Sequence, residues 1–295
     1  MQLRISNSDT KTFICERKFY YAYGLGITPK SQSVALSKGL FGHTLLEAWY
    51  KEQSISAVHN VYNTLVNQAD MYHNPEFAAK DMSKMFYLIM NYIDYYYHND
   101  EASIPKVHHV EEEFEINLKP YVGKDLIFVF KPDVIIEENG KLVVMDHKFV
   151  YDFYRPITIN LDTQLPKYIV ALTLLDKDIR YGILNQVRTR NVQSNRFQRE
   201  VVTPTYEQFE TIWEDHIKVS TRIEQWFRKS DDEKSLSERV FNPLVCRFCS
   251  YSELCVADLK GYEDEVDSII ETQMEPYEYG KRNIDYMKEL RSSNP

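Results

Sequence analysis

The sequence predicts an α/β (α+β) fold in which a mixed sheet is flanked by helices. Three observations carry that reading. Residues 128–149 hold apolar runs separated by Lys131-Pro132-Asp133 and by Glu138-Asn139-Gly140, the pattern of a β-hairpin. Further alternating or apolar runs lie on both sides of this stretch, with a helical segment between them, and strands followed by a helix and more strands indicate a mixed sheet covered by helices. Finally, residues 57–99 are helical in character throughout, with Met82, Met85, Phe86, Ile89, Ile93 and Tyr96 recurring every three to four positions.

From the N-terminus, Ser6-Asn7-Ser8-Asp9 offers N-cap residues for a helix over 6–23 that contains Cys15, with Gly24 and Gly26 closing it. A second helix is expected over Ser37–Glu52, placing His43 and Glu47 on one face at i, i+4. The periodic stretch that follows reads as a helical insertion. Its Tyr87, Tyr92, Tyr95 and Tyr97 suit either a packed core or the stacking of unpaired bases, and core packing is the favoured reading. Val110–Leu118 alternates as one strand, with Glu111, Glu113 and Glu115 on its polar face. Beyond the hairpin, Asp162-Thr163-Gln164-Leu165-Pro166 opens a helix whose Gln164 and Tyr168 share a face. Strands are expected near Ile179–Val187 and Phe197–Val202, then a helix over Tyr206–Lys229.

The Asn139-Gly140 pair fixes the hairpin register. A two-residue type I′ turn needs φ > 0 at both central residues, which Asn and Gly tolerate best. Paired positions then place Glu138 opposite Lys141, Ile135 opposite Val144, Asp133 opposite Asp146 and Lys131 opposite Lys148. Like charges directly opposite each other are destabilising, so two facing carboxylates call for compensation. A salt-bridge patch on a solvated face is one solution. A hard-cation site is the other, since Asp oxygens suit Mg²⁺ or Mn²⁺, and Lys148 lies on the same face to balance phosphate charge or act on an attacking water.

Composition bounds the function. The 295 residues carry a net charge of −9, so nucleic-acid binding requires a local basic path, for which Arg188, Arg190, Arg196 and Arg199 are the candidates. No apolar run is long enough to suggest a membrane span, no signal-peptide pattern opens the chain, and a cytoplasmic location is the expectation. The nine glycines include no phosphate-binding G-x-x-x-x-G-K-[ST] motif.

Four cysteines complete the picture: Cys15, and a C-x₂-C-x₅-C group of Cys246, Cys249 and Cys255. Four thiols match one metal centre, and in a reducing compartment such spacing argues for metal rather than disulfide. Zinc and an iron–sulfur centre are both served by four thiolates. The spacing favours iron, because zinc ribbons usually supply two C-x₂-C hairpins.

Pro132-Asp133, followed after a dozen residues by Asp146-His147-Lys148, resembles the PD-(D/E)XK nuclease signature. With Cys15, the Gly42-His43 helix, Gln164-x-x-x-Tyr168 and C-x₂-C-x₅-C in the same order, the chain resembles the RecB-like branch, including the AddB nuclease domain and the CRISPR-associated RecB-like nucleases. The resemblance covers Ile5–Asp258 and implies a restriction-endonuclease-like core and a metal-dependent DNA exonuclease. It implies that His43, Asp133, Asp146 and the His147 backbone carbonyl hold Mg²⁺ or Mn²⁺, and that Lys148 is the catalytic lysine. Gln164 and Tyr168 would line the active site, and Cys15, Cys246, Cys249 and Cys255 would bind a [4Fe–4S] cluster.

Two positions depart from the family pattern: Phe130-Lys131-Pro132 replaces the glycine often found before the first Asp, and Phe149 replaces a polar residue after the lysine. The organisation expected is N-terminal helices over 1–56, a helical insertion over 57–105, the nuclease core over 106–205, a helix and cysteine group over 206–260, and an acidic tail over 261–295. Expected partners are DNA, as single strands or ends, and a helicase or recombination protein. The alternative is a non-catalytic DNA-end-binding subunit of a recombination or repair complex.

Overall fold

A computed structural model describes residues 2–68, 75–97, 104–192, 194–277 and 283. In chain order its elements begin with β1 (Leu3–Ser6), α1 (Asn7–Phe13), α2 (Glu16–Phe19), a π-helical turn (Tyr20–Gly24) and β2 (Ile27–Pro29). Four helices follow: α3 (Val34–Glu52), α4 (Ile55–Asn67), α5 (Pro75–Lys80) and α6 (Met82–Tyr97). The middle of the chain contains β3 (Lys106–Val110), β4 (Phe114–Asn117), α7 (Lys119–Val122), β5 (Leu126–Phe130), β6 (Val134–Glu138) and β7 (Lys141–Val150). Next come α8 (Pro156–Leu161), α9 (Gln164–Leu174), β8 (Ile179–Arg188), β9 (Phe197–Val202) and α10 (Tyr206–Arg228). The chain continues with α11 (Asp231–Ser235), α12 (Pro243–Cys246), α13 (Ser252–Lys260), α14 (Glu263–Gln273) and β10 (Met274–Pro276). The fold is mixed α/β, as expected.

The chain divides into two compact units. One comprises residues 1–31, 115–129 and 214–295; the other comprises 32–114 and 130–213.

The second unit contains a five-stranded sheet of order β3-β6-β7-β8-β9, in which β7 and β8 are parallel and the other neighbours antiparallel. Its register follows from the Asn139-Gly140 turn, where φ is 52° and 74°. Glu138 pairs with Lys141 and Ile135 with Val144, the expected alignment. The ladder stops at Val134↔Met145, one residue short of the two aspartates. The expected Lys131–Lys148 pair does not form, because each ammonium finds a carboxylate: Lys131 Nζ lies 2.5 Å from Glu111, and Lys148 Nζ 2.5 Å from Asp146. One side of the sheet is apolar through Val143, Met145, Ile183 and Val187, which pack with α3 and α6 side chains such as Leu45, Leu46, Ile89 and Tyr92. Leu45, Leu46 and Ile89 are fully buried, and each such side chain contributes about 1.5–3 kcal/mol relative to exposure.

The single strand expected over 110–118 is in fact broken. β3 ends at Val110, Glu111 takes a left-handed φ of 51°, and β4 begins at Phe114 in a different sheet. The alternation of apolar and acidic residues runs on through this break, so periodicity alone does not reveal it. The first apolar run of the hairpin region also leaves it. That run is β5, whose Leu126–Val129 pairs in parallel with Leu3–Ser6 of β1 in a three-stranded sheet of the first unit.

In the first unit, the helix expected over 6–23 is divided. Ser6 caps α1 by accepting from the Asp9 N–H, while the Asp9 carboxylate accepts from Ser6 N–H at 2.6 Å. Cys15 then takes an extended conformation (φ −118°, ψ 105°) before α2, so it sits at a helix break rather than within a helix. Phe19 is fully buried, 4.1 Å from the Tyr23 ring and 4.9 Å from Trp226. Arg17 donates from Nε to Asp258 at 2.8 Å, and Arg239 Nη2 lies 2.6 Å from the same carboxylate. Part of the expected tail belongs to this unit: α14 and β10 place Ile269 and Met274 in a core with Tyr21, Tyr251 and Leu254, and β10 pairs with β2. The rest of that tail, apart from Tyr277 and Asn283, lies outside the described residues.

Candidate active site

The second unit gathers the acidic and basic candidates at one end of β7. Side chains alternate along a strand, so Asp146 and Lys148 share one face while the His147 side chain takes the other. Asp133, just before β6, accepts the His147 backbone N–H at Oδ2 (2.5 Å). His43 reaches the same oxygen from α3, with Nδ1 at 3.5 Å. Gln164, at the first turn of α9, clamps the other two groups. Its Nε2 donates to Asp146 Oδ1 at 2.9 Å, and its Oε1 accepts from Lys148 Nζ at 3.3 Å. The ion pair dictates that amide orientation, since a carboxylate can only accept and an ammonium can only donate. Tyr168, one turn along α9, lies with its hydroxyl 3.3 Å from Gln164 Nε2, and the Asp162 carboxylate accepts the Gln164 N–H at 2.8 Å.

One member of this group is not apparent from sequence patterning. The break after β3 brings the Glu111 carboxylate to His43 and Asp133, where the three offer ligand atoms within 4.8 Å of one another. Glu111 N–H also donates to the Asp133 carbonyl at 3.0 Å. The only sequence signal is Glu111 itself, in a run of acidic residues read as a solvated strand face. Asp146 is held instead by Lys148 and Gln164.

The electrostatics suit a cation. Burial pushes the Asp133 carboxyl well above the usual carboxylate range, and the Asp146 charge adds to the rise. Burial lowers His43 to about 4, helped by the Lys148 and Lys131 charges, so its imidazole is neutral at physiological pH and available as a ligand. Burial opposes the Lys148 charge, but the Asp146 carboxylate outweighs it and the ammonium is held above its ordinary range. His43, Glu111 and Asp133, two carboxylates and a neutral imidazole, are the described residues whose ligand atoms lie close enough to share a cation, and oxygen and imidazole donors of this kind suit Mg²⁺ or Mn²⁺.

Residues 4–256 match the family model of the PD-(D/E)XK nuclease superfamily. The chain belongs to the PD-(D/E)XK nuclease superfamily. Among solved structures, this nuclease is similar to a candidate exonuclease from Eubacterium rectale, at 12% identity over 84% of this chain and 86% of that one, with a TM-score of 0.51. It also matches the protein SSO0001, at 18% identity over 85% of each chain and a TM-score of 0.40. No curated protein matches the sequence.

Of the four arginines proposed as a basic path, Arg199 has a setting apart from the others in this nuclease. Arg199 is a half-buried hub: Nη2 donates to the Tyr92 and Tyr97 hydroxyls at 2.9 and 2.8 Å, and the guanidinium lies 3.7 Å from the Tyr96 ring centroid. Asn185, beside it, donates to His147 Nδ1 at 2.7 Å. Arg199 therefore supports the sheet face opposite Asp146 and Lys148, a role that a linear reading of basic residues does not show. Arg188 and Arg190 lie 3.4 and 3.0 Å from Asp152, and Arg196 donates to the Val192 carbonyl and Asn191. Of the tyrosines, Tyr92 and Tyr97 are buried, while Tyr87 and Tyr95 are 67% and 57% exposed.

The cysteines all belong to the first unit. Burial raises the Cys249 thiol above its ordinary range, and Cys15 and Cys255 add to the rise. Cys246 is exposed, with its Sγ directed to the Val240 carbonyl at 3.2 Å. The four cysteines thus share one unit, but among the described residues no three of their sulfurs lie within 4.8 Å of one another, so the thiols as placed do not form a metal-ligand group. Among the described residues, no helix is long and apolar enough to cross a membrane.

Proposed function

We propose that this nuclease is a divalent-metal-dependent DNA exonuclease acting on single strands or ends. One observation carries the reading: Asp133, Asp146 and Lys148 meet at the end of β7, with Gln164 bridging Asp146 and Lys148 and His43 completing the group. His43, Asp133, Asp146 and the His147 carbonyl would hold Mg²⁺ or Mn²⁺, with Glu111 as an additional carboxylate. Bound there, the ion supplies Lewis-acid polarisation of a phosphoryl oxygen and acidifies water.

The chain's own residues then have separate tasks. Lys148 presents a fixed ammonium to the charge that develops on the phosphate, and a preorganised donor needs no reorientation during reaction. Gln164 hydrogen-bonds both Lys148 and Asp146 and so ties the position of one to the other. Tyr168, whose phenol is kept protonated by burial, offers a neutral O–H beside Gln164. The preference for single strands rests on the negative charge of the whole chain, −9, which leaves little broad basic surface for duplex phosphates.

In the first unit, Cys15, Cys246, Cys249 and Cys255 would hold a [4Fe–4S] cluster that joins the chain's two ends. Its contribution there would be structural, a cross-link between segments distant in sequence. Incubating the protein with end-labelled single-stranded DNA in Mn²⁺ and in EDTA tests the nuclease reading. Release of label in Mn²⁺ alone is expected, and identical behaviour in both would refute it.

A further inference from the structure

The second unit contains a cavity of about 370 Å³ away from the carboxylates, lined by Lys38 of α3, Lys84 and Tyr87 of α6, and Arg188 and Arg196 from the end of β8 and the loop after it. Asp81 is the one carboxylate among its lining residues. Lys38 and Lys84 lie 3.0 and 3.2 Å from Asp81, whose carboxyl is driven below its ordinary range by those two lysines despite the opposing effect of burial. Asp152 is the partner of Arg188. Four cations face two carboxylates, so the cavity keeps a positive excess in a chain that is negative overall. A second cavity, of about 680 Å³, shares Asn191 and Arg196 with the first and is lined by Tyr95 and by one carboxylate, Asp94, so across both cavities Lys38, Lys84, Arg188 and Arg196 face Asp81, Asp94 and Asp152.

We propose that these adjoining cavities form a subsite for single-stranded nucleic acid, with phosphates on Lys38, Lys84, Arg188 and Arg196 and unpaired bases on Tyr87 and Tyr95. The proposal rests on the nuclease reading and extends it. Cations that track a backbone, interleaved with exposed aromatic faces, are what sequence-independent single-strand binding requires, because every base has a π-face while only unpaired bases expose it. α6 sorts its aromatics accordingly. Phe86, Tyr92 and Tyr97 turn into the core, whereas Tyr87 and Tyr95 remain 67% and 57% exposed.

The subsite is also tied to the cleavage site by both of its supporting elements. Lys38 precedes His43 by five residues on α3, about 7.5 Å along the helix axis. Arg188 pairs with Val150 of β7, two residues beyond Lys148, about 6.6 Å along the strand.

Fluorescence anisotropy of a labelled oligothymidine, in EDTA so that nothing is cut, tests the subsite. Lys84→Gln and Tyr87→Ala change exposed side chains and serve as single variants; Lys38→Gln/Lys84→Gln and Tyr87→Ala/Tyr95→Ala are the doubles. The lysine double should lower the slope of log affinity against log salt by about 1.4, at roughly 0.7 per single-strand phosphate contact. The tyrosine double should weaken binding roughly tenfold or more and leave that slope unchanged, as loss of stacking does. Affinity and slope unchanged in both doubles, or equal losses on blunt duplex and on single strand, would overturn the subsite. Protein that cuts DNA in Mn²⁺ yet binds independently of these residues refutes the subsite alone. Protein that binds through them but cuts nothing refutes the nuclease reading and supports the subsite.

Discussion

The ring of Phe149 occupies the space that a side chain at residue 42 would need: a Cβ on Gly42 would lie 2.2 Å from Phe149 Cζ. The contact seats α3 directly on β7, and residue 43 is the histidine that reaches Asp133. Phe149 replaces a polar residue of the family pattern, and its ring fits because position 42 is glycine. Gly42→Ala should therefore cost about 1–3 kcal/mol, the range for overpacking a filled site. It should also weaken Mn²⁺ binding by displacing His43. An unchanged unfolding temperature would show that the helix adjusts without strain.

Lys148 is held by Asp146 and Gln164, and its ammonium, a donor only, cannot ligate a cation. Lys148→Met should preserve Mn²⁺ affinity in calorimetry while lowering the cleavage rate roughly 10²–10³-fold, as when one preorganised stabilising group is lost. Loss of Mn²⁺ binding in that variant would assign the lysine to the structure of the site rather than to its chemistry.

Glu111 approaches His43 and Asp133 only because the chain turns at a left-handed residue between β3 and β4. Glu111→Gln removes a negative charge and keeps the size, and should weaken Mn²⁺ binding about 10–100-fold, as partners of metal ligands do. Wild-type affinity in titration calorimetry would leave Glu111 as a partner of Lys131 and nothing more.

How far the site is legible in the sequence depends on how local its causes are. Asn139-Gly140 dictates its own turn, and the turn dictates the register, so the neighbourhood of Asp133 and Asp146 follows from residues close in the chain. The facing carboxylates are resolved in a way that side-chain arithmetic does not contain, since Asp133 turns to a backbone N–H of β7. Glu111 is hidden because alternation continues across a strand break. Arg199 reads as surface charge, yet its surroundings are tyrosines from α6, about a hundred residues earlier. β1 is too short to announce itself, and it exists through parallel pairing with β5.

The cysteine reading has a direct chemical consequence. Protein purified without oxygen should be brown and contain iron and acid-labile sulfide, and Cys→Ser at Cys15, Cys246, Cys249 or Cys255 should lower the unfolding temperature, because metal-ligand free energy contributes to folding. Elemental analysis showing zinc without iron would replace the cluster with a tetrahedral thiolate site.

A metal-dependent exonuclease built on Asp146 and its neighbours should degrade only strands that offer an end. This is tested most directly by digesting end-labelled linear single-stranded DNA beside a closed circle of the same sequence, in Mn²⁺, with wild-type protein and with Asp146→Asn. Degradation of the linear strand by wild type alone is expected, with the circle intact and the variant folded but inactive. Wild-type rates from the Asp146→Asn protein, or rapid cutting of the circle, would contradict the assignment.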